Sequence, residues 1–186
     1  MKRYFDIVIS LILFLALFFP MILISLAIAL TSRGPILYWS DRIGKNSVIF
    51  KMPKFRTMKV NAPNLPTHLM MSPNDYLNPL GGFLRRYSLD ELPQLFSIFL
   101  GDMSFVGPRP ALFNQEDLIS LRKNHNIDSL LPGLTGWAQV NGRDQLSIIE
   151  KVNLDIEYMN NQSLALDLKI FWMTFIKVIR SKNISH

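Results

Sequence analysis

A run of uncharged, mostly apolar residues constrains this chain more than any other feature of its sequence. The run extends from Ile7 to Leu30, a stretch of 24 residues. As an α-helix it would be about 36 Å long, enough to cross a hydrocarbon core of about 30 Å. A transmembrane span is therefore one interpretation. Pro20 favours another, because a proline inside a helix removes one backbone hydrogen bond and promotes a bend.

The residues that flank this run are basic at both ends. Lys2 and Arg3 precede it and Arg33 follows it, so the basic residues that usually mark the cytoplasmic side do not select an orientation. A helix that enters one leaflet, bends at Pro20 and returns would leave both ends on the cytoplasmic side. A cleaved signal peptide is a third interpretation, since residues 27–29 resemble a cleavage site. The run is, however, longer than the usual apolar core of a signal peptide.

Length and composition narrow the classes of protein to which this chain could belong. A chain of 186 residues is typical of a single domain. Its 49% of hydrophobic residues is high for a soluble protein of this size. Its net charge of +6 suits nucleic acid, anionic lipid or phosphorylated substrates without selecting among them. The sequence contains no cysteine, which excludes disulfides and thiolate zinc sites and agrees with a cytoplasmic location.

Two adjacent carboxylates, Asp90 and Glu91, stand just before Pro93. Proline is tolerated in the first turn of a helix, so both acids are predicted at a helix N-terminus, where unpaired amides favour carboxylates and phosphates. Neighbouring helix positions point about 100° apart. One acid is therefore expected to attack or take a proton while the other holds a cation. The purely structural alternative is a capping box, because Ser88 and Glu91 have the S-x-x-E spacing.

Three motifs around and after these acids favour the chemical interpretation. They read SLDELPQL, GDMSFVGPRP and PGLTGWAQVNGR, in this order. With them the chain resembles the bacterial sugar transferases, the small monotopic polyprenyl-phosphate phosphoglycosyl transferases, over nearly its whole length, from KRYFD to LALDLKIFWMT. The resemblance implies transfer of a phospho-sugar from a UDP-sugar to undecaprenyl phosphate or another polyprenyl phosphate, with release of UMP. This would be the first membrane step of a bacterial glycoconjugate pathway.

The same resemblance implies roles for particular residues. Asp90 would be the nucleophile, forming a covalent aspartyl phospho-sugar, and Glu91 would bind Mg²⁺. The residues implied to contact phosphate or nucleotide, together with one further active-site acid, are Lys54, Arg85, Arg109, Gly142, Arg143 and Asp167. The chain departs from the family pattern at Phe19, where Ser usually precedes the proline, and at Pro53 before Lys54.

The expected fold class is mixed α/β and mostly helical. The resemblance implies a re-entrant membrane helix over residues 1–33 and a cytoplasmic catalytic domain over residues 34–186, with a short sheet and membrane-interface helices, at the inner membrane. The local patterns predict strands Ile36–Trp39 and Ser47–Phe50, a loop over 59–82, turns Gly101–Pro110 and Pro132–Arg143, and helices over 111–129, 147–161 and Leu164–Arg180.

The last predicted helix carries a basic stripe beside an apolar, aromatic one. Lys169, Lys177 and Arg180 share one face, next to Phe171 and Trp172. This composition suits a helix that lies in the membrane interface. Burial of the apolar stripe in the domain core is the alternative.

Two other functional classes make distinct predictions. A membrane-tethered, non-catalytic adaptor of the same fold could dispense with Asp90, Glu91 or the basic residues, and the sequence retains them all. A nucleic-acid binder needs a surface on which aromatic and basic residues alternate. The sequence shows no such surface outside its apolar segments, so no nucleic-acid partner is expected.

Overall fold

The fold is that of a computed structural model, which describes residues 2–63, 72–142 and 145–180. Its helices and strands, in chain order, are α1 Lys2–Thr31, β1 Leu37–Ile43, β2 Ile49–Phe55, α2 Gly81–Arg86, α3 Gln94–Leu100, β3 Ser104–Val106, α4 Glu116–Asn124, β4 Gly133–Thr135, α5 Trp137–Asn141, α6 Ile148–Asn160 and α7 Leu164–Arg180. The mixed α/β, mostly helical class is thereby confirmed.

Helix α1 is the one helix of the described ranges that is long and apolar enough to cross a membrane. Its most apolar window has a mean hydropathy of 3.1, and only 6% of that window is buried. The helix continues through Pro20, so the predicted bend does not take the form of a break between two helices. One face packs on the rest of the protein through Ile9, Leu13 and Ile24, while the other face is exposed.

Both ends of α1 are attached to the remainder of the chain by side chains. At its start, Arg3 donates from Nη1 to the Ile98 carbonyl at 2.6 Å and from Nη2 to the Phe99 carbonyl at 2.8 Å. A cation is favourable there, because these carbonyls lie at the negative end of α3. At the other end, Arg56 donates to the carbonyls of Ser32 and Arg33 at 3.0 and 2.7 Å. The folded domain therefore holds α1 at both ends.

Strands β1 and β2 form an antiparallel hairpin in which Leu37 pairs with Phe55 and Ile43 with Ile49. Both strands begin and end later than the predicted runs. The predicted start of the second strand at Ser47 is wrong, because Lys45–Ser47 form the turn in which the backbone reverses direction. A sheet of two strands consists of edges only, and a proline is tolerated on an edge strand. Pro53 therefore stays within β2 and leaves the register intact.

Strands β3 and β4 pair in parallel within the two segments predicted as turns, Gly101–Pro110 and Pro132–Arg143. The second segment also contains α5. Each strand has three residues, which is too short for the alternation that identifies a strand in a sequence. The pairing depends on close backbone approach, since a Cβ on Gly133 would lie 2.1 Å from the Gly107 nitrogen.

The bounds of α6 and α7 agree with the predicted helices 147–161 and Leu164–Arg180 to within one residue at each end. Helix α6 begins at a capping box, in which Ser147 and Glu150 exchange side-chain and backbone hydrogen bonds. Helix α4 is shorter than the predicted 111–129 at both ends. Before it, Leu112 forms an antiparallel bridge with Arg42, and after it Asn126 adopts a left-handed conformation. The main core lies between these elements and consists of Met52, Leu95, Ile98, Met103, Phe105, Val106, Val140, Tyr158 and Ile170.

Gly81 lies where α2 touches the end of β2, and replacing it is expected to destabilise the fold. A Cβ on Gly81 would lie 2.1 Å from the Thr57 carbonyl oxygen, so Gly81→Ala should lower the free energy of unfolding by about 1–3 kcal/mol. Gly82→Ala is the matched control, because its Cβ would meet only Leu77 at 3.9 Å. Urea unfolding in detergent should separate the two variants, and equal midpoints would contradict the packing argument.

Candidate active site

The carboxylates Asp90 and Glu91 belong to a single 3₁₀ turn, Leu89–Glu91, which leads through Pro93 into α3. This confirms their predicted place at a helix start. The capping-box alternative is wrong, because Ser88 has a left-handed backbone, with φ of 55°, and its side chain makes no cap hydrogen bond. Ser88 and Glu91 therefore do not form a capping box. Asp90 is buried.

Glu91 is held by two cations that come from distant parts of the chain. Lys54 Nζ, in β2, lies 2.7 Å from Glu91 Oε1. Arg109 Nη2, in the loop after β3, lies 3.6 Å from the same oxygen. The first contact is a charged hydrogen bond in a largely buried environment, where screening by water is weak. The structure thus brings together three residues that sequence analysis placed in one site.

Two further arginines complete the basic side of this cluster. Arg85, in α2, donates from Nε to Thr57 Oγ1 at 2.9 Å, and its charge acts on Asp90. Arg42, in β1, was missed by sequence analysis. Burial and the neighbouring Arg109 lower the pKa of Arg42 to about 10, while Glu91 acts in the opposite direction. The sequence does carry a signal at this position, because Arg42 belongs to an R-x-G motif in the segment that resembles the family.

The pKa of Asp90 depends on its burial and on the charges around it. Burial and then the charge of Glu91 raise the pKa of Asp90 to about 6, although Lys54, Arg85 and Arg109 act to lower it. The carboxylate is therefore mostly ionised at neutral pH, yet poorly solvated. A poorly solvated anion beside positive charge is well suited to act as a nucleophile.

The cluster carries a surplus of positive charge. Four cations, Lys54, Arg85, Arg109 and Arg42, act on the two carboxylates, so cations outnumber acids by two among these six residues. Arginine and lysine side chains at this spacing are typical ligands of phosphate oxygens. The arrangement therefore favours a substrate with more than one phosphate charge.

The residues present also fit a magnesium ion that is shared with a substrate. Within the described residues, no group of three His, Cys, Asp or Glu side chains could hold a metal alone. Mg²⁺ commonly binds to one or two carboxylates and completes its shell with water and substrate phosphates. Glu91, in the same turn as Asp90, offers one such carboxylate.

Asp167, the further predicted acid, lies in a separate polar cluster at the start of α1. Its Oδ2 pairs with the Lys2 ammonium, and its Oδ1 accepts a hydrogen bond from the Tyr158 hydroxyl at 2.7 Å. Burial and this hydrogen bond raise the pKa of Tyr158. The contacts of Asp167 within the described residues thus join α1, α6 and α7, and its role in the active site stays a prediction.

The predicted nucleotide loop is described only in part. Gly142 ends α5, and a Cβ there would approach Leu146 Cγ to 2.7 Å, so the position favours glycine on steric grounds. Arg143 lies outside the described residues. Its predicted contact with nucleotide therefore stays a prediction.

The chain is similar in sequence to a known protein family and to several known proteins. A sequence model of the bacterial sugar transferases matches residues 1–181. The undecaprenyl-phosphate glucose phosphotransferase of Komagataeibacter xylinus is 39% identical, over 98% of this chain and 36% of that protein. The UDP-glucose:undecaprenyl-phosphate glucose-1-phosphate transferase of Escherichia coli strain K12 is 37% identical, over 95% of this chain and 40% of that protein.

A shorter relative matches along most of its own length. The exopolysaccharide production protein ExoY of Sinorhizobium fredii is 35% identical, over 98% of this chain and 87% of that protein. The chain spans about two fifths of the length of the two glucose phosphotransferases. On the family match and these identities, the chain belongs to the bacterial sugar transferase family.

Proposed function

We propose that this protein transfers a phospho-sugar from a UDP-sugar to undecaprenyl phosphate, or a similar polyprenyl phosphate, and releases UMP. The observation that carries the proposal is the buried carboxylate of Asp90 beside Glu91, within reach of the charges of Lys54, Arg85 and Arg109. The names of the glucose phosphotransferases, which specify UDP-glucose or undecaprenyl phosphate, support the same substrates.

The proposed chemistry consists of two displacements at one phosphorus atom. An Asp90 carboxylate oxygen bonds to the sugar-linked phosphorus of the UDP-sugar, and the bond from that phosphorus to the bridging oxygen breaks. UMP leaves with the electron pair. An oxygen of the polyprenyl phosphate then attacks the same phosphorus, and the bond to Asp90 breaks. The covalent step divides a difficult encounter between two anions into two steps that a positive site can assist separately.

The remaining residues would hold and neutralise the phosphates. Lys54 and Arg109 converge on one Glu91 oxygen, so phosphate oxygens that enter beside Glu91 would meet both cations. Arg42 adds charge next to Arg109. Glu91, beside Asp90, would hold Mg²⁺, which when bound supplies charge neutralisation on the diphosphate and the departing UMP.

The ionisation of Asp90 predicts a pH dependence of the first displacement. The carboxylate is the nucleophilic form, and its pKa is raised to about 6. The rate of UMP release from the donor, without lipid acceptor, should therefore fall about tenfold for each pH unit below 6 and level off above about 7. Rapid-quench measurements from pH 4.5 to 8 test this. A rate that stays constant from pH 5 to 8 would contradict the assignment.

The arrangement of α1 supports a membrane position for this chemistry. A polyprenyl phosphate stays in the bilayer, so its headgroup must meet Asp90 at the membrane surface. The domain holds α1 through Arg3 at one end and Arg56 at the other, which favours a helix that enters and leaves on one side over a simple span. Exposed Trp172 and Phe175 on α7 would lie in the same interface, at the cytoplasmic face of the inner membrane.

Cysteine labelling is expected to reveal this single-sided topology. The chain has no cysteine, so Tyr4→Cys and Arg33→Cys each introduce one exposed thiol at one end of α1. Both should react only from the cytoplasmic side, as should Asn124→Cys on the exposed surface of α4, which serves as the reference. Pro20→Ala should increase the fraction that spans, because it restores a helical hydrogen bond. Reaction of either end from the periplasmic side would refute the re-entrant arrangement.

A screen for UMP release across a panel of UDP-sugars, with undecaprenyl phosphate as acceptor, tests the function itself. UDP-glucose is the first donor to try, since the name of the Escherichia coli relative specifies it. The expected result is UMP formation that requires the lipid acceptor for sustained turnover. A protein that binds membranes but releases UMP from no donor would instead match the adaptor interpretation.

A further inference from the structure

The loop Pro108–Pro110, which carries Arg109, is held almost entirely by its carbonyl groups. Two of its three residues are prolines and lack an N–H donor. Its consecutive carbonyls each accept a hydrogen bond from a different element: Pro108 from the Gly133 amide at 2.9 Å, Arg109 from Arg122 Nη1 at 2.7 Å, and Pro110 from Arg42 Nη1 at 3.2 Å. Hydrogen bonds from β4, α4 and β1 thus hold the backbone of the loop.

The side chain of Arg109 has no comparable anchor. Its contact with Glu91 is an ion pair at 3.6 Å, which is longer than a hydrogen bond, and it makes no side-chain hydrogen bond to another described residue. The guanidinium therefore keeps its donors for a phosphate. Because no side-chain hydrogen bond aims it, its direction depends on the backbone of the loop.

Arg122 connects that backbone to the interior of the protein. Its Nε and Nη2 donate to Asp155 Oδ2 at 3.0 and 2.7 Å, and its remaining Nη1 donates to the Arg109 carbonyl. Both residues are buried, and Asp155 is only 1% exposed. A buried ion pair of this kind often adds little net stability, because both charges lose their hydration. Stability alone therefore does not explain well why Arg122, in α4, contacts both Asp155 in α6 and the loop.

We propose that Arg122 and Asp155 form a positioning pair for catalysis, which fixes the backbone of Arg109 and so directs its guanidinium at the phosphates of the donor. The pair touches no substrate itself. The inference rests on the proposed function and deepens it, since it identifies what determines the geometry of one phosphate contact.

A double-mutant cycle separates this role from a general effect on folding. Arg122→Lys keeps the charge but loses the planar fork that bridges Asp155 and the loop. With UDP-glucose and undecaprenyl phosphate, it should lower kcat/KM at least about tenfold, as expected for a displaced catalytic contact. In an Arg109→Ala background the same substitution should change kcat/KM less than about twofold, because the group that it positions is already gone.

Ser147→Ala removes the cap of α6, the helix of Asp155, and should lower the melting temperature without changing kcat/KM of the folded protein. If Arg122→Lys does not fold, Asp155→Asn takes its place in the cycle, since it keeps the shape of the acid. Equal losses in both Arg109 backgrounds, or full activity of a folded variant, would overturn the positioning role.

The test also distinguishes failure of this inference from failure of the proposed function. If the wild-type protein releases UMP from no donor, the proposed function is wrong, and the cycle is then measured on the Kd for UDP. The same non-additivity is expected there, and additive losses would refute the positioning role alone. Absence of UDP binding by the wild-type protein would refute both.

Discussion

Asp90→Asn is expected to abolish the covalent intermediate and to lower turnover at least about 10⁴-fold. The wild-type protein should release UMP from its donor before any lipid acceptor is added, in an amount no greater than that of the enzyme. Intact-mass analysis should then find a phospho-sugar on the peptide that contains Asp90. The variant should show neither, because an amide is a poor nucleophile at phosphorus. Kinetics against the two substrates should be ping-pong.

Asp102→Asn provides the matched control, since Asp102 is an exposed acid in the turn that follows α3. It should retain burst, adduct and turnover. Direct attack by the lipid phosphate predicts the opposite behaviour for the wild-type protein, with no UMP released without acceptor and a ternary complex in the kinetics. A fully active wild-type protein that shows neither burst nor adduct would leave Asp90 as a metal ligand or a base.

Glu91→Gln should lower turnover about 100-fold or more, and raise the Mg²⁺ concentration needed for half-maximal activity. Glutamine keeps the shape of the side chain but removes its charge. Binding of UDP without metal should change little, because the phosphate contacts come from the surrounding cations. Titration of activity with Mg²⁺, and calorimetry of UDP binding in EDTA, measure the two effects separately.

The same substitution also removes the partner of Lys54, which lies 2.7 Å from the carboxylate. Lys54→Gln separates the two causes, since it breaks the ion pair but leaves Glu91 charged. Its Mg²⁺ midpoint should stay unchanged or fall, even though turnover decreases. Glu116→Gln, at an exposed acid in the first turn of α4, should behave as wild type. Near-normal turnover of Glu91→Gln at ordinary Mg²⁺ would show that the metal assignment is wrong.

Features encoded by neighbouring residues were predictable from the sequence. The turn that holds Asp90 and Glu91, the helix that follows Pro93, and α7 all depend on interactions within a few residues. The long apolar helix α1 was predictable for the same reason. Strands β3 and β4 were not, because three-residue strands have no periodicity and exist only through pairing with each other.

The sequence by itself determined which chemical groups this protein brings to its site: adjacent carboxylates at a helix start, and basic residues in motifs that resemble the sugar transferases. Only the tertiary structure decided which groups meet. It joins Lys54 and Arg109 to Glu91, adds Arg42, and places Asp167 with Lys2 and Tyr158 in another cluster. The physical reason is that contacts and desolvation depend on distances between segments far apart in the chain. The raised pKa of Asp90, which results from burial and from these neighbouring charges, therefore exists only in the folded protein.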